Sequence, residues 1–359
     1  MDFYTKDTKT AIEAQGMAQY IAFGPVIFQV ARVLRNCGIL DIIEKSGPEG
    51  MTLNEIIEKL LLPSYGVRVL LESALGIGLV ILHQDRYVLT KTGYFITEDP
   101  LTITNMDFVH DVCYKGLFFL DTSIANGKPE GLKELGPWNT IYEGLSQLPQ
   151  QVQKSWFNFD HFFSDKAFPA VLPLVYNRGV KKLLDIGGNT GKWAIASAQY
   201  DKDVRITIVD LPGQLDMAKI KIKELGLTER ISFLPINLLD DQQSFPEGFD
   251  IIWMSQFLDC FSESEIKLIL KRCHEALDDN ASLLVLEAFW DTQRFETAAF
   301  CLQQTSIYFT AIANGNSQMY HSEIFKSFLR KAGFEIMEQT DHIGLSHTLL
   351  KCRKKKQTG

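Results

Sequence analysis

One run of the chain, LLDIGGNTGKW from Leu183 to Trp193, constrains the fold more than any other. Its apolar start reads as a β-strand with Asp185 near the carboxyl tip, and Lys192 to Tyr200 reads as a helix. Between them Gly187, Gly188 and Gly191 let the backbone fold back, because such a turn demands unusual φ angles and leaves no room for side chains against a ligand. Asn189 occupies a turn position where glycine is common, and asparagine is the substitute that best tolerates a left-handed conformation. A second apolar run, RITIVD, ends on Asp210, 19 residues beyond Gly191. Strand, glycine turn, helix and a second strand closed by an acid make a cradle for a nucleotide-type cofactor.

The details of the turn select among cofactors. A dinucleotide site shows G-x-G-x-x-G, whose second glycine admits a pyrophosphate at the helix N-terminus. Here the pattern is D-x-G-G-N-T-G, with a carboxylate two residues before the first glycine. Asp185 would repel a pyrophosphate but suits an ammonium and a sulfonium, both carried by S-adenosylmethionine (SAM). Asp210 is placed to bond the ribose hydroxyls. An ordinary structural turn is the alternative, and a nicotinamide site is disfavoured by Asp185 and Asn189.

Length and composition bound what else the chain can be. Its 359 residues, 46% hydrophobic and 22% charged, suit two or three soluble domains. A net charge of −8 argues against nucleic acid as the main partner. The six cysteines fall in no paired spacing, and with no signal peptide they read as reduced thiols of a cytoplasmic protein. No apolar run approaches the length needed to cross a bilayer, so no membrane partner is expected. His342 and His347 lack companions at ligand spacing, so no metal is expected either.

Three segments follow in order: 1–100, 101–170 and 171–359. In the first, helical apolar spacing precedes Thr52, which stands three residues before Glu55 as in a capping box. A helix from Tyr65 to Ile77 and a hairpin around Gln84 and Asp85 complete a winged-helix pattern. Its would-be recognition helix offers only Arg68 as a cation, too little to read a DNA groove, so the segment reads as a dimerisation domain. The second segment is helical and dense in aromatics, which fits a core and a lid over a flat apolar ligand. From about Leu172 onward strands alternate with helices, an α/β, Rossmann-like doubly wound sheet with its ligand at the carboxyl ends.

A winged helix ahead of DIGGNTG, VDLPG, LPINLLD and FDIIWMSQFLDCFSESE resembles the SAM-dependent O-methyltransferases of the caffeic acid/catechol type, found in plants and in bacterial polyketide tailoring. The resemblance runs from about Ala31 to Cys352 and implies a homodimer that methylates a small aromatic hydroxyl compound. It implies that Gly187 and Gly188 back the amino-acid end of SAM and that Leu211 lies beside the adenine. Asn237 would approach the adenine amino group, with Leu238 and Leu239 as apolar walls. Ser255 and Gln256 would contact the methionine end, and Phe159, Phe163 and Ser164 would close over the cofactor. The substrate pocket is expected to include His110, Tyr114, Phe118, Trp138, Phe289 and Met319.

The plant enzymes carry a histidine base in an LHDW run after the fourth strand. Here that run is Leu258-Asp259-Cys260-Phe261, which puts Asp259 in the catalytic position. Of the two glutamates that orient that histidine, the first region contains Glu287 and the second falls at Met319, which cannot act. His110, His161 and His321 are the alternative bases. Without the family histidine, N- or C-methylation and a non-catalytic SAM sensor stay open.

Overall fold

The computed structural model describes residues 3–177, 179–240 and 242–356. The chain divides into two compact units between Val109 and His110.

The first unit begins with α1 (Ala11–Ala22), capped by Thr10 and Glu13, and continues through α2 (Gly24–Asn36) and α3 (Ile39–Lys45). The expected capping box is present at α4 (Leu53–Leu60). There the Thr52 N–H donates to Glu55 Oε2 at 2.7 Å, and the Glu55 N–H donates to Thr52 Oγ1 at 3.3 Å. Such a cap is worth about 1 kcal/mol. After α5 (Ser64–Gly76), strands β1 (Val80–His83) and β2 (Arg86–Leu89) form the wing; α6 (Lys91–Glu98) and α7 (Pro100–Phe108) close the unit. Leu34, Ile39, Leu40, Ile56 and Leu71 form its core. No residue of α1 is buried, and Ile12 and Ile21 are 82% and 72% exposed. Among the described residues no single helix is long and apolar enough to cross a membrane.

The second unit carries a helical run, α8 (Leu120–Asn126), α9 (Ile141–Gly144) and the long α10 (Gln150–Val175), ahead of a seven-stranded sheet. The alternation is β3 (Lys182–Ile186), α11 (Lys192–Tyr200), β4 (Arg205–Asp210), α12 (Pro212–Glu224), β5 (Ile231–Pro235) and β6 (Ile251–Ser255). It continues with α13 (Glu263–Ala276), β7 (Ser282–Ala288), α14 (Glu296–Tyr308), α15 (Ser322–Lys331), β8 (Phe334–Ile343) and β9 (His347–Lys354). The spatial order is β5-β4-β3-β6-β7-β9-β8, parallel from β5 to β7, with β9 antiparallel to both its neighbours. Apolar side chains alternate to both faces. On one, Trp193 of α11 stacks on Trp253 of β6 with centroids 4.1 Å apart; on the other, Met254, Leu283, Val285 and Phe325 meet. Parallel register brings the carboxyl tips of β3, β4, β6 and β7 side by side.

Candidate active site

Those tips carry Asp185, Asp210, Ser255 and Glu287, residues far apart in sequence that pairing makes neighbours. The turn after β3 is built as its composition demands. Gly187 has φ +75°, Asn189 φ +49° and Gly191 φ +77°. A Cβ on Gly187 would lie 2.1 Å from a ring carbon of Phe257, and one on Gly188 2.7 Å from Asp185 Oδ2. The Asn189 N–H donates to Asp210 Oδ2 and the Leu211 N–H to Asp210 Oδ1, at 2.8 and 2.7 Å, so the second acid also shapes the turn.

After β6 the chain turns sharply through Gln256, at φ +47°, into the 3₁₀ turn Leu258–Cys260. Glu287 Oε1 accepts the N–H groups of Phe257 and Leu258 at 3.0 and 2.8 Å. Asn314 donates to the Cys260 carbonyl at 2.6 Å and the Tyr320 hydroxyl to the Phe261 carbonyl at 2.8 Å. Asp259 is thereby fixed and buried at 6% exposure, with the Cys260 thiol 3.5 Å from its Oδ1. The Trp156 indole N–H, from α10, donates to the Tyr308 hydroxyl at 2.8 Å.

Negative charge crowds this edge. Burial, then Asp210, pushes Asp185 up to about 8. Burial pushes Asp210 up to about 6 against the two N–H groups that favour its anion. Asp160 on α10 is pushed up to about 7 by burial and then by Asp259. Asp259 and Glu287 are both raised, burial being the main cause, and Glu287 is lifted further by the Asp259 charge. Acids held this far from water keep their protons unless a cation compensates their charge.

Unpaired atoms point the same way. Asp185 Oδ2, Asn189 Oδ1, Gln256 Oε1 and Glu287 Oε2 are buried acceptors without a hydrogen-bond partner, and Ser255 Oγ is buried and unpaired too. Each such group costs about 1–3 kcal/mol unless a ligand satisfies it. An ammonium, a sulfonium and a ribose diol are the complement of this set, so the residues present fit SAM.

The other expected residues divide. Asn237 is exposed and its Oδ1 accepts the Leu239 N–H at 3.0 Å. Leu238 turns into the core with Ile236 and Phe245, leaving Leu239 as the accessible leucine. Phe159 and Phe163 pack edge to face on α10 at 5.3 Å, and Ser164 is half-buried beside them. Trp138 lies on the backbone of Gly136 and Gly144, where a Cβ would meet its ring at 2.2 Å. Met319 is buried, its N–H donating to Ser306 Oγ at 3.1 Å.

Two pocket expectations are corrected. Phe118 is 85% exposed, because the 3₁₀ turn Gly116–Phe119 sends it outward while Phe119 lies under the Lys133 ammonium. Phe289 is 1% exposed and packs on Phe325 within the sheet's core, with no surface left for a ligand.

The histidines are placed differently from one another. His321 caps α15, accepting the Glu323 N–H at 3.1 Å. His161 is pushed down to about 4 by burial and Lys192, and with Phe157, Lys192 and Met217 it lines a cavity of about 520 Å³ between α10, α11 and α12. His110 bonds Asp111 and stacks on Tyr114. Sequence reasoning did not single out Asp160, Tyr142 or Phe257, which the fold brings near the Asp259 turn and the glycine turn, nor the bonds by which Glu287 holds the Phe257 and Leu258 N–H groups. Only Glu287 had a sequence signal, its place at a strand's carboxyl tip.

Comparison with known proteins accords with this geometry. Residues 15–87 match the dimerisation2-like domain and residues 164–335 the O-methyltransferase domain. The chain is 24% identical to an L-tyrosine C(3)-methyltransferase of Streptomyces lavendulae, over 94% of this chain and 91% of that one. It is 26% identical to a demethylspheroidene O-methyltransferase of Rhodobacter capsulatus, over 79% and 68% of the two chains. The structure of the mitomycin 7-O-methyltransferase MmcR shares the fold, with a TM-score of 0.73 at 17% identity, over 96% of this chain and 98% of that one.

Proposed function

From the premise that this chain joins a dimerisation2-like domain to an O-methyltransferase domain and is a SAM-dependent methyltransferase, we propose the assignment of its residues. Asp185 receives the SAM ammonium, Asp210 the ribose hydroxyls, and Gly187 and Gly188 let the cofactor approach the backbone. Leu211, Asn237 and Leu239 border the adenine. Ser255 and Gln256 meet the methionine end, and Phe159, Phe163 and Ser164 cover it. The acceptor is a small aromatic hydroxyl compound.

The observation that carries this reading is the set of buried, unpaired acceptor atoms at three neighbouring strand ends, those of β3, β6 and β7, together with the enclosed hydroxyls of Tyr142 and Tyr308. Bound SAM supplies an electrophilic methyl on a sulfonium. The protein's task is to hold the nucleophile about 3 Å from that carbon and in line with the sulfur, which contributes about 7–11 kcal/mol. Asp259 holds the acceptor's polar group. Even raised by burial, a carboxylate remains a weak base for a phenol, whose pKa is about 10. The test is release of S-adenosylhomocysteine from SAM with a panel of phenols; a protein that binds SAM yet turns over none of them would contradict the acceptor class.

A second reading, methylation at a ring carbon ortho to the hydroxyl, is favoured by the relative from S. lavendulae that covers 94% of the chain. Mass spectrometry and NMR of the product separate the two. The enzyme acts as a homodimer, supported by the dimerisation2-like match and by the uncovered apolar residues of α1; a monomer in light scattering would contradict this. Its six free cysteines suit the reducing cytoplasm.

A further inference from the structure

The position that the family resemblance gives to a histidine base is held here by Asp259, yet the molecule contains an oriented imidazole–carboxylate unit elsewhere. It lies on the π-helical turn Val109–Cys113. His110 Nδ1 stands 2.7 Å from Asp111 Oδ1. Asp111 Oδ2 accepts the Ser155 hydroxyl at 2.6 Å and the Gln151 side-chain amide at 2.9 Å, both from α10. Burial works against the Asp111 charge, but the bonds from His110, Ser155 and Gln151 outweigh it and hold the carboxyl below its ordinary value. Tyr114 stacks on the imidazole at 6.3 Å, and 28% of the His110 side chain remains exposed.

A carboxylate facing Nδ1 fixes the tautomer: Nδ1 donates, and Nε2 keeps its lone pair. Four side chains spend hydrogen bonds and packing on holding one ring, more than a surface histidine needs. The unit is linked to the acceptor side of the site through α10. Ser155, which holds Asp111, precedes Trp156, whose indole bonds Tyr308. Tyr308 is within electrostatic reach of Cys113, on the same π-turn as His110, and of Cys260 and Asp160. Thus α10 connects the dyad to the surroundings of Tyr308, which include Cys260 of the Asp259 turn.

We infer that His110 is the general base for the phenolic acceptor and that Asp111 is its positioning residue, an inference that rests on the aromatic hydroxyl acceptor proposed above. The acceptor O–H gives its proton to His110 Nε2. The freed oxygen electron pair forms the new O–CH₃ bond while the S–CH₃ bond breaks and its electrons pass to sulfur. The imidazolium, balanced by the Asp111 carboxylate, then loses its proton to water.

The test compares catechol with 4-nitrocatechol, whose hydroxyl is already largely ionised at pH 8, reading S-adenosylhomocysteine release by wild type, His110→Gln, His110→Ala and Asp111→Asn. A positioned base contributes about 10²–10⁴-fold, so both His110 variants lose about 100-fold or more on catechol and only a few-fold on 4-nitrocatechol. Asp111→Asn loses less on catechol, in kcat and not in the KM for SAM, and all variants keep the wild-type unfolding temperature. Equal losses on the two phenols, or no loss, would overturn the inference. A wild type that binds SAM by calorimetry but methylates neither phenol would overturn the acceptor reading, and the base with it.

Discussion

The cofactor edge of the sheet and the acceptor side of the site are built on opposite plans. The edge is made from strand tips and one glycine turn: Asp185, Gly187 and Asn189 lie within five residues, and Asp210 joins them through parallel register. The acceptor side, as proposed, is gathered from His110, Tyr142, Trp156, Asp160, Asp259 and Tyr308, of which only Trp156 and Asp160 share an element, α10. The first plan leaves little freedom, because positive φ and a strand-end carboxylate admit few residues. The second leaves much, since any helix that brings a base or a ring to the chamber serves.

Substitutions at the two regions should therefore differ in kind. The largest effect is expected at the turn. Gly187→Val places a β-branched residue at φ +75° against the Phe257 ring and should cost about 2–4 kcal/mol of stability. Chemical denaturation measures that cost, and an unchanged midpoint would show the turn to be pliant. On the acceptor side, Asp259→Asn keeps the shape and the Glu287 scaffold. It should lower kcat about tenfold, as expected for loss of one charged hydrogen bond, with SAM affinity unchanged; steady-state kinetics and SAM titration together decide this.

A pH dependence ties the edge to its cation. Asp210, Asp160 and Asp185, at about 6, 7 and 8, hold their protons in the fold well above the ordinary value of 3.8. The stability this lends is full below about pH 4 and is lost as pH rises through about 8. The unliganded protein should accordingly soften from pH 5 to 8, while the rise in unfolding temperature caused by SAM grows over the same window. A SAM-induced shift that shrinks with pH would contradict the assignment of Asp185 to the SAM ammonium. The smallest effect lies far from either region: Thr52→Ala should cost about 1 kcal/mol through loss of the α4 cap and leave kinetics untouched.

The same contrast explains what the sequence disclosed. The winged-helix order, the strands from β3 to β9 and the capping box at Thr52 were legible because each is coded over a few residues by periodicity, caps and turn chemistry. So were the left-handed Asn189 and the places of Asp185 and Asp210 at the carboxyl ends of β3 and β4. Phe118 and Phe289 were misplaced because aromatic content says nothing about which way a ring faces; one lies outside and the other in the core. Asp160 was illegible for a related reason. On a 26-residue helix, one acid among many polar residues acquires its role only when that helix packs near the Asp259 turn.

The central claim is that the acid-lined carboxyl edge holds SAM. Calorimetric titration of SAM and S-adenosylhomocysteine into wild type and Asp210→Ala tests it most directly. The account predicts micromolar binding of both by the wild type and a loss of about 10–100-fold in the variant, the worth of a charge-assisted bond to the ribose. Equal affinities in the two proteins, or no binding by the wild type, would contradict it.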